Sequence, residues 1–369
     1  MRIAITVNTI WNIYNFRLDL ILHLQANGHK VFAIAPFDNY VTKLESIGVT
    51  CYDIKLNSKS TNPISDVFLI RNYINIFKEI KPDIILSYTI KPNIYGNFAA
   101  GILRIPTLNN ISGLGTLFIK KTVVTTFAKL LYKFSLKFSN HVFFQNSFDR
   151  SYFINCGIVS NEISSVINGS GVNLNKFKFI KKSNNCDVFL FVGRIIKDKG
   201  VIEYLESAIK ILKIYPKKKF LLVGEIGVQN KTSISKGALD LYLSKSSQIR
   251  YLGMTDNIIE IMKNADVLVL PSYREGLSKT LIESSAIGLP IITTNVPGCK
   301  DVVKHLYNGL LCSPKSVTSL FGEIRRMIQF SESQRIQLAI NARNVVENKF
   351  SSEKIVKQYL KKINEIVEQ

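Results

Sequence analysis

Cysteine is scarce and unpatterned in this chain: five among 369 residues, Cys51, Cys156, Cys186, Cys299 and Cys312, with no CxxC pair. That excludes a disulfide framework and a structural zinc site, and it suits a reducing cytosol. No apolar run approaches the roughly 18 residues that a bilayer crossing takes. Asn8 and Asn12 interrupt the N-terminus where a signal peptide needs its apolar centre, so the protein is expected on the cytoplasmic side. Catalytic-metal patterns are missing too: there is no Asp-x-Asp and no HExxH, and His23, His29, His141 and His305 have no ligand spacing, so no metal is expected. With 10 Pro and 20 Gly the chain is neither fibrous nor disordered. Acidic residues are outnumbered 27 to 48, a net charge of +21 that favours anionic partners. The excess is even, +10 over residues 1–180 and +11 over 181–369, and no basic module with interleaved aromatics stands out, so nucleic acid is not the expected partner.

What is present is alternation. MRIAITV reads as a strand, residues 16–25 repeat apolar side chains at helical spacing, and Asn27-Gly28 ends that helix. KVFAIAP, KPDIILSY and RIPTLNNI continue the strands. The pattern restarts at Asp187 with VFLFVG, a helix over 201–215, KKFLLVG, IRYLG, ADVLVLP, a helix through Glu283, and LPIITT. Strand-helix alternation predicts an α/β fold of two doubly wound parallel sheets. The Asn, Ser, Gly and Lys-rich stretch around 170–186 reads as the connection, which gives an N-terminal domain over 1–175 and a C-terminal one over 186–350. The final helical repeat, 351–369, follows no strand of its own and is expected to cross back onto the first domain.

The most informative stretch is ADVLVLPSYREGLSKTLIESSAIGLPIITTNVPG, residues 265–298. Ligands of open α/β sheets bind beyond the carboxyl ends of the strands, and there ADVLVLP gives way to a polar loop that opens a helix. Glu275 ends the loop, Gly276 permits close backbone approach, and Glu283 follows eight residues later. The first amides of the helix, Leu277 to Leu281, can hold a phosphate through free N–H groups and the helix dipole. At the same sheet edge Gly193 and Arg194 end a strand and Lys199-Gly200 precede a helix. A guanidinium fork and an ammonium are a natural pair for a diphosphate, leaving the carboxylates to take sugar and ribose hydroxyls.

These residues resemble the retaining glycosyltransferases of the two-Rossmann-domain GT-B class, glycosyltransferase family four, whose signature is two glutamates with seven residues between them, here Glu275 and Glu283. The resemblance implies two Rossmann-like domains facing each other across a cleft that closes on its substrates. It implies that Glu283 grips the ribose, that Glu275 faces the donor sugar, and that Arg194 and Lys199 hold the donor diphosphate. The amides near Thr280 and Leu281 match phosphate contacts, and those of Gly276, Leu277 and Ser278 match sugar contacts. The acceptor hydroxyl would attack on the face that UDP leaves, its proton passing to the departing phosphate, with retention at the anomeric carbon. Arg194 and Lys199 would supply the electrostatics that a metal gives elsewhere, so no cofactor beyond the nucleotide-sugar donor is implied.

A narrower resemblance lies in NFR (Asn15 to Arg17), IKPNIYG (Ile90 to Gly96), NNISGLGTLF (Asn109 to Phe118) and GSGVNLNKF (Gly169 to Phe177). These are similar to bacterial transferases that build capsule, O-antigen or protein-linked glycans on undecaprenyl diphosphate, often from UDP-linked N-acetylhexosamines. Two departures touch the acceptor side. Asn12-Ile13-Tyr14-Asn15 replaces the usual glycine pair after the first strand, and Ser112-Gly113 stands where many relatives carry a histidine. Asn12, Arg17, Lys91, Asn110 and Ser112 are therefore the candidate acceptor-side residues, acting by polar positioning. Residues 120–142 place Val123, Phe127, Leu130, Leu131, Phe134 and Phe138 at helical spacing beside Lys129, Lys133 and Lys137, with no acidic residue. Such a helix either lies on the anionic inner face of the cytoplasmic membrane, where a lipid-linked acceptor is met, or packs its apolar side on the sheet. Trp11 is either a sugar platform or sheet-edge packing. The competing readings are a nucleotide-sugar epimerase of the same shape and a non-enzymatic binder of membranes or nucleic acid.

Overall fold

The computed structural model describes residues 1–56, 62–114, 123–180, 186–227 and 232–368. It divides into two compact units, Met1–Ser170 with Ser352–Gln369, and Gly171–Ser351. The α/β expectation holds in both.

Unit 1 carries strands β1 (Arg2–Thr6), β2 (Lys30–Ile34), β3 (Thr50–Tyr52), β4 (Ile84–Tyr88), β5 (Thr107–Ile111), β6 (His141–Phe144) and β7 (Ser164–Val166). They form one parallel sheet in the order β3-β2-β1-β4-β5-β6-β7. Its helices are α1 (Ile10–Ala26), α2 (Val41–Glu45), α3 (Pro63–Ile80), α4 (Asn97–Leu103), α5 (Val123–Ser135) and α6 (Ser147–Asn155). The strands are nearly continuous apolar runs because helices cover both faces. One face packs Ile3, Ile5, Leu86 and Phe143 on α1; the other packs Ile85, Val142 and Phe144 under α3 to α6.

Unit 2 repeats the plan with β8 (Val188–Val192), β9 (Lys219–Val223), β10 (Ile249–Tyr251), β11 (Val267–Leu270), β12 (Ile291–Thr294) and β13 (Leu310–Cys312), in the order β10-β9-β8-β11-β12-β13. Its helices are α7 (Val201–Leu212), α8 (Lys236–Leu243), α9 (Ile258–Lys263), α10 (Lys279–Ile287), α11 (Val317–Gln329) and α12 (Glu332–Lys349). Leaving aside the β7 edge strand of unit 1, both sheets have the doubly wound Rossmann order, with the reversal between β1 and β4 in one and between β8 and β11 in the other.

Entry to and exit from unit 2 lie side by side, because Val172 bridges Ser351 and its N–H donates to the Phe350 carbonyl at 2.9 Å. The last helix, α13 (Ser352–Val367), belongs to unit 1. It buries Ile355, Val356, Tyr359, Ile363 and Ile366 in the same core layer as Ile3, Tyr88 and Phe143. That stripe follows helical spacing, and it is the apolar face a helix without a strand of its own still has to cover.

The amphipathic stretch 120–142 departs from expectation. Residues 120–122 lie outside the described residues. The α-helix ends at Ser135, a 3₁₀ turn covers Leu136–Phe138, and His141 already opens β6. Asn140 breaks the helix by docking on Thr107, giving its carboxamide oxygen to the Thr107 N–H at 3.0 Å. The packing is also inverted. Thr125, Ala128, Tyr132, Ser135 and Leu136 face the core, whereas Phe127, Leu130, Phe134 and Phe138 are about half exposed. The reading in which the apolar side packs on the sheet is therefore wrong for those four residues. The inward positions meet polar groups, the Asn97 side-chain amide that donates to the Ser135 carbonyl and the Asn93 carbonyl that accepts from the Ser135 hydroxyl at 3.3 Å, and small or polar side chains fit there.

Candidate active site

In unit 2 the loops after β8, β11 and β12 interlock at the carboxyl edge. The chain leaves β8 through Gly193 and Arg194, turns through a 3₁₀ segment at Lys197–Lys199, and enters α7 at Gly200. Gly200 has φ +74, and a Cβ there would lie 2.1 Å from the Pro271 carbonyl, so only glycine lets the two loops meet. The Tyr273 N–H then donates to the Asp198 carbonyl at 2.8 Å. This contact carries Lys199 to Glu275: Nζ and Oε1 are 2.5 Å apart, with 21% and 12% of the two side chains exposed.

The loop after β12 braces Glu275 from behind. Its N–H donates to the Pro297 carbonyl, the Ser278 N–H donates to that of Gly298, and the Gly298 N–H is held by Asp301 at 2.7 Å. Gly298 has φ +80 and passes so close that a Cβ would sit 2.5 Å from the Glu275 carbonyl. Cys299, beside it, is buried, which pushes its thiol up to about 12, with the Glu275 charge adding to the effect. It stays a protonated packing residue.

Helix α10 begins at Lys279 with Ser278 as N-cap, and the Ser278 side chain makes no capping bond. Its opening amides, including those of Thr280 and Leu281, have no intrahelical acceptor and present the positive helix end. Glu283, one turn in, lies 3.5 Å from Lys279 Nζ. Burial raises its pKa above the usual carboxylate value, and Lys279 and then Lys176 offset part of that rise.

The sequence candidates thus sort by contact. Lys199 and Glu275 meet directly. Gly276, Leu277, Ser278, Thr280, Leu281 and Glu283 follow along one loop and helix start. Gly193 and Arg194 leave the neighbouring strand, with Arg194 exposed. Sequence reasoning missed Gly298 as the brace and Tyr273, whose hydroxyl donates to Glu203 Oε1 at 2.6 Å; a glycine after a proline carries no sign of the neighbour it must clear.

Unit 1 gathers the other candidates around the carboxyl ends of its central strands. Asn12 lies in the first turn of α1, its N–H capped by Thr9 at 3.1 Å. Lys91 is engaged by Asp66 at 2.5 Å, and Tyr95 donates to the other oxygen of the same carboxylate at 2.6 Å. The Asn110 amide donates to the Tyr359 hydroxyl at 2.7 Å and accepts from Ser112 at 3.2 Å. Arg17 is buried on the Tyr88 ring. Tyr359 went unnoticed, since 249 residues separate it from Asn110. Residues 115–118 of the NNISGLGTLF motif lie outside the described residues. Among the described residues no group of three or more His, Cys, Asp or Glu is placed to hold a metal ion.

Family models match both halves: residues 173–345 match the glycosyl transferases group 1 and residues 2–146 match a glycosyl transferase 4-like model. The chain is 31% identical over 363 residues, 93% of each chain, to the N,N'-diacetylbacillosaminyl-diphospho-undecaprenol alpha-1,3-N-acetylgalactosaminyltransferase of Campylobacter jejuni. It is 27% identical, over 78% of this chain and 76% of the relative, to the UDP-Gal:alpha-D-GlcNAc-diphosphoundecaprenol alpha-1,3-galactosyltransferase of Escherichia coli. In fold it is similar to Anabaena HepE, solved in complex with UDP, with a TM-score of 0.80 at 18% identity over 99% and 100% of the two chains. Two Rossmann-like sheets, the paired loops that join Lys199 to Glu275, and this breadth of likeness lead to one conclusion: the chain belongs to the group 1 glycosyl transferases and is a glycosyltransferase.

Proposed function

We propose that the enzyme moves a sugar, an N-acetylhexosamine, from a UDP-sugar to a hydroxyl of a polyprenyl-diphosphate-linked glycan in the making of a surface polysaccharide, with retention of anomeric configuration and without a metal. Unit 2 takes the donor and unit 1 the acceptor. The observation that carries the reading is the Lys199–Glu275 pair at the mouth of α10, a cation and a carboxylate held together beside the Thr280 and Leu281 amides, which have no acceptor within the helix. The products of both relatives above carry alpha linkages by their names, which fits retention.

In this reading Arg194, Lys199 and the amides of Thr280 and Leu281 take the diphosphate. In the loop of Gly276, Leu277 and Ser278 the Leu277 N–H orients the sugar, whereas the Ser278 N–H, expected from the sequence to do the same, is taken by the Gly298 carbonyl at 3.2 Å and fixes the loop instead. Glu283 accepts from the ribose hydroxyls, and Glu275 faces the sugar where positive character grows as its bond to phosphate breaks. The acceptor hydroxyl attacks from the side that UDP leaves and gives its proton to the departing phosphate oxygen, so no histidine base is required. Incubation with a panel of UDP-sugars and a polyprenyl-diphosphate glycan, read by product mass, tests this. Transfer from at least one UDP-sugar is expected. Conversion of UDP-sugar without acceptor would favour the epimerase, and a folded protein inert to every donor would refute the donor assignment.

The acceptor class also accounts for α5. Its half-exposed Phe127, Leu130 and Phe134, with Phe138 of the turn that follows, are joined by exposed Ile102, because Phe138 lies over Gly101. Lys133 and Lys137 are exposed beside them, and no acid interrupts residues 120–142. Apolar side chains among lysines suit the interface of an anionic leaflet, and we infer peripheral attachment there, on the cytoplasmic side. Among the described residues no helix is long and apolar enough to cross a membrane.

A further inference from the structure

Arg17 stands in the middle of α1 with 3% of its surface exposed, and among the described residues no carboxylate pairs with it. Its guanidinium carbon lies 3.9 Å above the Tyr88 ring. One terminal nitrogen donates to the Phe16 carbonyl at 3.3 Å, and Nε is buried with no acceptor. A guanidinium has five N–H donors in a rigid fork, so most of this one is unused. Burying an ion costs several kcal/mol, whereas a desolvated cation over an aromatic ring returns only about 2 kcal/mol. The cation is thus left uncompensated.

The comparison with Lys91 in the same unit sharpens the point, because Asp66 and Tyr95 close that ion into a satisfied group. The groups that meet Arg17 are neutral: Tyr88 beneath it, and Tyr359, which feels its charge and accepts from the Asn110 amide at 2.7 Å. One residue beyond Tyr88, Thr89 adopts φ +62, a left-handed conformation that costs a β-branched residue about 1–3 kcal/mol. Its buried hydroxyl also has no partner. A strained residue, an unused hydroxyl and an unanswered guanidinium therefore adjoin the carboxyl end of β4, the edge at which open α/β sheets bind ligands.

We propose that Arg17 receives the diphosphate of the lipid-linked acceptor, its free N–H groups meeting the phosphate oxygens as a fork while the Thr89 hydroxyl supplies a further donor. This rests on the assignment of unit 1 to the acceptor. It adds that the enzyme reads the anionic linker between sugar and lipid as well as the sugar, and that a cation distinct from the Arg194 and Lys199 pair does so.

The test compares two acceptors with the same N-acetylhexosamine, one on farnesyl diphosphate and one on a neutral farnesyl ether. The wild-type enzyme is expected to favour the diphosphate acceptor at least tenfold, through KM and not kcat. Arg17→Met is expected to cut that preference at least tenfold, and Arg17→Lys to restore part of it. Equal KM for both acceptors in the wild type, a comparison that needs no variant, would overturn the inference, as would Arg17→Met keeping the full preference. Transfer by the wild type to neither acceptor would overturn the acceptor reading itself, and the inference with it.

Discussion

Replacing Glu275 by glutamine separates two roles that a simple list of binding residues would merge. The Lys199 ammonium is neutralised by Glu275 at 2.5 Å. A diphosphate reaching Lys199 has to compete with that carboxylate and is repelled by it. A charge-assisted hydrogen bond is worth about 1.5–3 kcal/mol, so Lys199→Met should weaken UDP about ten- to a hundredfold, with the stranded carboxylate adding repulsion. Glu275→Gln releases the ammonium instead. UDP should bind as tightly as to wild type or tighter, while transfer falls well over tenfold because the sugar loses its carboxylate. The pair is 12–21% exposed, between surface pairs worth about 0.2–1 kcal/mol and buried ones that cost about 3–5 kcal/mol to break, so each variant should lose about 1–2 kcal/mol of stability. Titration calorimetry with UDP, denaturant melts and turnover on the three proteins, with the double variant closing the cycle, measure every term. UDP affinity falling in Glu275→Gln as far as in Lys199→Met would refute this account of the site.

Arg194→Ala should reduce transfer well over tenfold with little change in the melting curve, since Arg194 is exposed; near-normal turnover would remove it from the site. Burial raises the Glu283 pKa from the reference 4.5, and its ionised form makes the stronger, charge-assisted bonds to two hydroxyls, so UDP affinity should fall with acidification through that raised pKa, and Glu283→Gln should flatten the profile. The same shift has a stability sign: the folded protein holds this proton more tightly than the unfolded chain, so the contribution is full below about 4.5 and is lost as pH rises through the folded pKa. Gly298→Ala forces a methyl toward the Glu275 carbonyl at φ +80 and should cost at least about 1 kcal/mol and lower kcat through a displaced Glu275; unchanged kcat would remove Gly298 as the brace. Co-sedimentation with anionic liposomes should fall on Lys129/Lys133/Lys137→Glu and on Phe127/Phe134→Ser, and equal binding by all would remove α5 as the contact.

The long strands were legible because parallel strands covered on both faces are written as unbroken apolar runs, as in Val188–Val192 and Val267–Leu270. Three-residue strands such as Thr50–Tyr52, Ser164–Val166 and Leu310–Cys312 are too short to carry a period, and they went unread. Spacing identified α5 as two-sided but not which side meets the protein; the Asn97 side chain and the Asn93 carbonyl, which bond Ser135 from another segment, decided that. The loop after β11 was readable because Glu275, Gly276 and the start of α10 are contiguous. The surroundings of Arg17 were not, since Tyr88 and Tyr359 reach it from distant segments and nothing local announces an ion without a counter-charge.

The return of the chain to unit 1 has a consequence for synthesis. On the ribosome, Gly171–Ser351 is complete before Ser352–Val367 is made, so the half that begins first is finished second, and until then the layer around Tyr88 and Phe143 waits for Tyr359 and Ile363. A premature stop codon in the closing stretch of the message would spare the middle of the protein and cripple its beginning.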